Sequence, residues 1–134
     1  MKIIAYISFL LLTITSAFGQ WTQTSGPSGG GVSDFAFVDG KILAASFDLG
    51  NGVFASTDNG ASWSESGLQG IMLTKIAANG NTVIAASTNN SYNETDTIYR
   101  SGDGGGTWQK VMTVSNINRI TSICHHDQQW FLST

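Results

Sequence analysis

Three carboxylates, Asp48, Glu94 and Asp96, fall in polar, loop-like stretches, with Tyr92 beside two of them and Arg119 in a later one. Glycoside hydrolysis needs two carboxyl groups on opposite sides of a scissile bond, one to protonate the leaving oxygen and one to attack or to activate water. Asp48, Tyr92, Glu94, Asp96 and Arg119 therefore form the candidate ligand-facing set. Cys124-His125-His126-Asp127 places thiol, imidazole and carboxylate side by side. Neighbours on a strand point to opposite faces, so these four cannot converge on one metal and read as the decoration of a turn. A third arrangement occurs twice: Ser56-Thr57-Asp58-Asn59-Gly60-Ala61-Ser62-Trp63 and Ser101-Gly102-Asp103-Gly104-Gly105-Gly106-Thr107-Trp108. Its aspartates lack the further carboxylates of a calcium loop, with Gln69 and Val114 where a twelfth-position glutamate would stand. Gly29-Gly30-Gly31 and Gly104-Gly105-Gly106 precede no helix and match no phosphate loop. The sequons at Asn89 and Asn93 matter only in a host that glycosylates them.

What positions these residues is a repeat. The separation of Asp58 from Asp103 falls in the ~40–45-residue range of a four-stranded propeller blade. The flanks repeat too, Ser33 to Ser46 aligning with Thr74 to Ser87 and again with Thr121 to Thr134. Each unit reads as four short strands: A at 33 to 38, a turn at Asp39-Gly40, B at 41 to 46, C at 52 to 56 and D at 62 to 66. Ile42-Leu43-Ala44-Ala45 and Val83-Ile84-Ala85-Ala86 are continuous apolar runs, the pattern of a sheet covered on both faces. Glycines punctuate every run, and no apolar helical stripe exceeds two turns in the remainder. In the octets, Asp58 and Asp103 are expected to accept backbone N–H bonds of their own turn, Gly60 and Gly105 to take positive φ, and Trp63 and Trp108 to anchor strand D.

The two octets resemble BNR or Asp-box repeats, the blade signature of sialidase-like, sortilin-like and xyloglucanase-like β-propellers, and the resemblance spans nearly all of residues 20 to 134. It implies an all-β, incomplete β-propeller of four-stranded antiparallel blades. It also implies that Ser56, Asp58, Gly60, Ser62, Trp63, Ser101, Asp103, Gly105, Thr107 and Trp108 are structural and lie away from any active site. A meander places the A–B and C–D turns on one face and the B–C and D–A loops on the other, so the candidate ligand-facing set lies opposite the octets. Sialidase-like sites carry three arginines against a carboxylate. Here there are only Arg100 and Arg119, and Arg100 falls on the octet side. No catalytic residue, cofactor or metal ligand is assigned.

Met1-Lys2, the apolar run Ile3 to Ile14 and Ala17-Phe18-Gly19 read as a cleaved signal peptide, which implies an extracytoplasmic location. The apolar run is shorter than the ~20 residues of a spanning helix. Six Lys and Arg against nine Asp and Glu, net charge -3, leave no basic surface for nucleic acid. A single cysteine excludes an internal disulfide. The expected organisation is a leader at 1–19, strand D of an incomplete or closing blade with a Gly-rich linker at 20–32, blades at 33–73 and 74–120, and the start of a truncated blade at 121–134. The remaining blades would be needed for closure, since four blades require roughly 160 residues. The expected function is an exported, non-catalytic module that binds a glycan or protein ligand or serves as a scaffold. The alternative is the N-terminal part of a sialidase-like or xyloglucanase-like glycoside hydrolase.

Overall fold

The computed structural model of the chain describes residues 25–27, 30–88, 95–115 and 119–134. The leader, the strand expected near Trp21, and Tyr92, Glu94, Asn116 and Asn118 lie outside the described residues.

Two antiparallel four-stranded sheets and a hairpin follow one another along the chain, each sheet in sequence order. The first sheet is β1 (Val32–Val38), β2 (Lys41–Ser46), β3 (Val53–Ser56) and β4 (Ser64–Glu65). The second is β5 (Leu73–Asn79), β6 (Thr82–Thr88), β7 (Thr95–Ser101) and β8 (Gln109–Ser115). The hairpin is β9 (Ser122–His126) with β10 (Gln129–Ser133). Strand D of the first unit is shorter than its expected 62 to 66, because Ser62 and Trp63 are drawn into the preceding turn. The Asp39-Gly40 turn has φ of 43° and 74° at its two residues, the doubly left-handed geometry that matches strand twist in a two-residue hairpin.

Side-chain alternation decides how the sheets stack. On one face of the first sheet, Ala36, Val38, Leu43, Ala45 and Val53 pack against Leu73, Ile76, Val83 and Ala85 of the second. The opposite face of the second sheet, Ile84, Ala86 and Ile98, joins Ile120 and is covered by Ile123 and Trp130 of the hairpin. Both faces of β6 are thus buried, which is why its sequence is a continuous apolar run rather than an alternating one. Alanines at the centre, Ala44, Ala45, Ala85 and Ala86, have no exposed surface and leave room for close approach. Among the described residues the stack is open: the sheets pack in series and do not close on themselves.

Candidate ligand-binding site

At one end of the sheets stand the two octets, and their hydrogen bonds repeat to within 0.1 Å. Ser56 Oγ donates to Asp58 Oδ1 (2.8 Å) and accepts from Gly60 N (2.7 Å), while Asp58 accepts from Ser62 N (2.8 Å) and Ser62 Oγ (2.6 Å). In the second octet Ser101 Oγ to Asp103 is 2.7 Å, Gly105 N to Ser101 Oγ 2.8 Å, and Thr107 N and Oγ1 to Asp103 2.8 and 2.7 Å. Gly60 and Gly105, at φ 87° and 92°, take the backbone conformation that only glycine adopts without strain. Every partner lies within four residues, so sequence spacing alone closes the turn.

These bonds also set the protonation of the turns. The hydroxyl of Ser62, then its backbone N–H, then the Ser56 hydroxyl hold Asp58 down at about 2, against an ordinary 3.8. Asp103 is held lower still, by the Ser101 hydroxyl first and then by the N–H and hydroxyl of Thr107. Both carboxylates are accessible to solvent yet occupied by their own turns, a poor arrangement for a general acid.

At the other end lies a cleft of ≈ 490 Å³ lined by Ser33, Phe47, Thr74, Lys75, Arg119, Ile120 and Thr121. Its hydroxyls come from equivalent positions of the three units. Ser33 and Thr74 occupy β-bulges, where the pairing shifts between Val32 and Asp34 and between Leu73 and Lys75. Ser33 Oγ lies 3.1 Å from Ala45 O and 2.8 Å from Leu73 O, and Thr74 Oγ1 donates to Ala86 O at 3.3 Å. Thr121 Oγ1 does the same with Ser133 O at 3.3 Å. A bulge leaves an extra residue unpaired, and the Ser33 and Thr74 hydroxyls partner the strand carbonyls beside it.

The cations come from β5 and from the connection before β9. Arg119 has φ of 86°, a costly conformation for a non-glycine residue, and its guanidinium carbon sits 5.9 Å over the Phe47 ring. Next to it, Ile120 N donates to Asp96 Oδ2 at 2.7 Å, and Asp96 is buried. That bond holds the connection against β7 and presents Arg119 to the cleft. Neither Lys75 nor Arg119 forms an ion pair with a carboxylate of the described residues. The cleft is therefore a cationic, hydroxyl-lined surface with one aromatic wall.

Of the candidate ligand-facing residues, Arg119 lines this cleft. Asp96 lies behind the wall as an anchor. Asp48 starts a 3₁₀ turn, Asp48–Gly50, at the same end, and its Oδ2 accepts from Gly31 N at 2.8 Å. Lys75, Ser33 and Thr74 were not singled out by sequence reasoning, because an alternating strand gives no sign of the bulges that redirect them, and neither was Thr121, which directly precedes β9. Arg100 lies 3.4 Å from Thr82 Oγ1 and borders the octet of Asp103, at the far end. His125 Nε2 lies 3.1 Å from Asn79 Nδ2, Cys124 is a free, exposed thiol, and no group of three metal-ligating side chains forms among the described residues. No helix of the described residues is long and apolar enough to cross a membrane. Comparison with family models, curated proteins and solved structures gives no match to this chain.

Proposed function

We propose that the chain is part of an exported β-propeller and acts as a binding module, taking a ligand's carboxylate, on a glycan or a protein chain, in the cleft between its three units. The observation that supports this reading is the pair Lys75 and Arg119, two cations with no ion pair to a carboxylate of the described residues, set over hydroxyls from all three units. An incoming carboxylate supplies their missing countercharge, and an arginine can hold it bidentately. Catalysis draws no support from Asp34, Asp48 or Asp96, since each accepts a backbone N–H already. The octets act as turn locks, not as ligand groups. Further blades of the same kind would complete the ring.

Calorimetric titration with an oligogalacturonate, an acidic peptide and a neutral cello-oligosaccharide tests the site. The acidic ligands bind and the neutral one does not; Arg119→Ala and Lys75→Ala each weaken binding about tenfold, the ~1.4 kcal/mol of one charge-assisted contact. Equal affinity of both variants and wild type for every probe would refute the cleft. Export is tested separately by intact mass, with Gln20 the expected first residue of secreted material.

A further inference from the structure

The polar groups of the cleft differ in which hydrogen bonds they have left to make. A hydroxyl has one hydrogen and two lone pairs. Ser33 Oγ stands 2.8 Å from Leu73 O and 3.1 Å from Ala45 O, two acceptors for its single hydrogen. Thr74 Oγ1 spends its hydrogen on Ala86 O at 3.3 Å, and Thr121 Oγ1 on Ser133 O at the same distance. What these hydroxyls still offer a ligand is lone pairs. Backbone N–H groups beside them are taken as well: Phe47 N donates to Gly31 O at 3.1 Å, Ile120 N to Asp96 Oδ2 at 2.7 Å and Thr121 N to Ser133 O at 2.8 Å. The side-chain hydrogens left for a ligand among the described lining residues are those of Lys75 and Arg119.

A bare carboxylate satisfies only half of this arrangement. It accepts hydrogens from Lys75 and Arg119, but it has none to give to the lone pairs of Ser33 and Thr74. Resting on the reading of the cleft as a carboxylate site, we infer that its occupant is a sugar acid, a uronate residue of a glycan, whose carboxylate meets the two cations while its ring hydroxyls donate to Ser33 and Thr74. The acceptors are placed in advance by the fold, since both residues sit on β-bulges at equivalent positions of adjacent units. The pyranose ring is equally preset, because it fixes the carboxylate carbon and the hydroxyls relative to one another. An acidic peptide also carries neutral donors, its backbone N–H groups. The bonds between its side-chain carboxylate and its backbone rotate, however, and ordering them costs part of the gain. A cationic donor, such as the ammonium of an amino acid, is repelled by Lys75 and Arg119.

Calorimetric titration of the chain at neutral pH with probes of equal charge tests it: trigalacturonate, acetyl-triglutamate amide, and tricarballylate, which has no donor at all. Trigalacturonate binds about tenfold more tightly than either of the others. Thr74→Val, which keeps the shape and removes the acceptor, and Ser33→Ala each weaken trigalacturonate by about fivefold and leave tricarballylate unchanged, while Thr74→Ser keeps the preference. Arg119→Ala weakens all three probes. Tricarballylate binding as tightly as trigalacturonate overturns the inference and leaves the carboxylate reading standing. Triglutamate binding as tightly or more tightly also overturns it, and assigns the cleft to a protein partner. Binding of none of the three removes the carboxylate reading and the inference with it. The comparison of probes on wild type decides the matter even where a variant fails to fold.

Discussion

Trp63 and Trp108 close two turns of the same sequence pattern and the same internal geometry, yet they do different work. Both indoles donate to the carbonyl of their own turn, Gly60 O and Gly105 O, at 3.1 Å. Trp108 Nε1 also lies 2.8 Å from Ser66 O of the first sheet, and its ring rests on Gly67. Lys41 Nζ and Ser66 Oγ reach back to Gly104 O and Gly105 O at 2.9 and 2.8 Å. Among the described residues Trp63 makes one aromatic contact, with Phe35, ring centroids 6.3 Å apart. A turn motif therefore guarantees its own shape, while its contribution to the tertiary structure depends on what stands next to it.

The sharpest way to break that comparison is to delete each ring. Trp108→Ala should cost about 3 kcal/mol or more in a denaturant titration, since it empties a packed interface; Trp63→Ala should cost about 1 kcal/mol, since part of its ring already faces water. Equal losses would mean that the neighbouring sheet adds nothing. Gly67→Ala is next: a Cβ there would lie 2.6 Å from Trp108 Cδ1, on a residue with φ of 102°, and should cost about 1–3 kcal/mol. The same change at Gly26, where nothing lies within 4 Å, should cost less.

Asp58→Ala and Asp103→Ala should each lower the melting temperature by a few degrees and leave affinity for the acidic probes unchanged; lost binding with an unchanged melt would overturn the assignment of the octets as turn locks. Acid should act on the same bonds. Because the folded carboxylates titrate below their ordinary 3.8, the stability they supply is complete above about pH 4 and is lost as pH falls through about 2 for Asp58, and lower for Asp103. Melts of Asp103→Ala should therefore keep less of their pH dependence below pH 4 than wild type does. The smallest effect belongs to Lys41→Met, which removes one partly exposed bond between the sheets and should cost less than about 1 kcal/mol.

The octets were legible because every bond in them joins residues at most four apart, so spacing and side-chain type specify the outcome. The strands were legible because glycine turns and apolar runs mark them at both ends. Strand D was overestimated in the first unit because Ser62 belongs to Asp58 before it belongs to the ladder. Lys75 was missed for a different reason: its presence in the cleft depends on the bulge at Thr74 and on Arg119 arriving from the next unit, which are tertiary facts. Asp96, read from its loop-like neighbours as ligand-facing, is instead buried at the second residue of β7, where the backbone N–H of Ile120 needs an acceptor.

The bond from Trp108 to Ser66 also bears on synthesis. A chain made from its N-terminus completes the four strands of the first sheet by Glu65, while Trp108, which covers the end of that sheet at Ser66 and Gly67, has not yet been added. Over the intervening stretch the nascent sheet exposes Leu43, Ala45 and Val53, which become fully buried only once the second sheet is in place. That interval is when a holding chaperone would have the most apolar surface to grip.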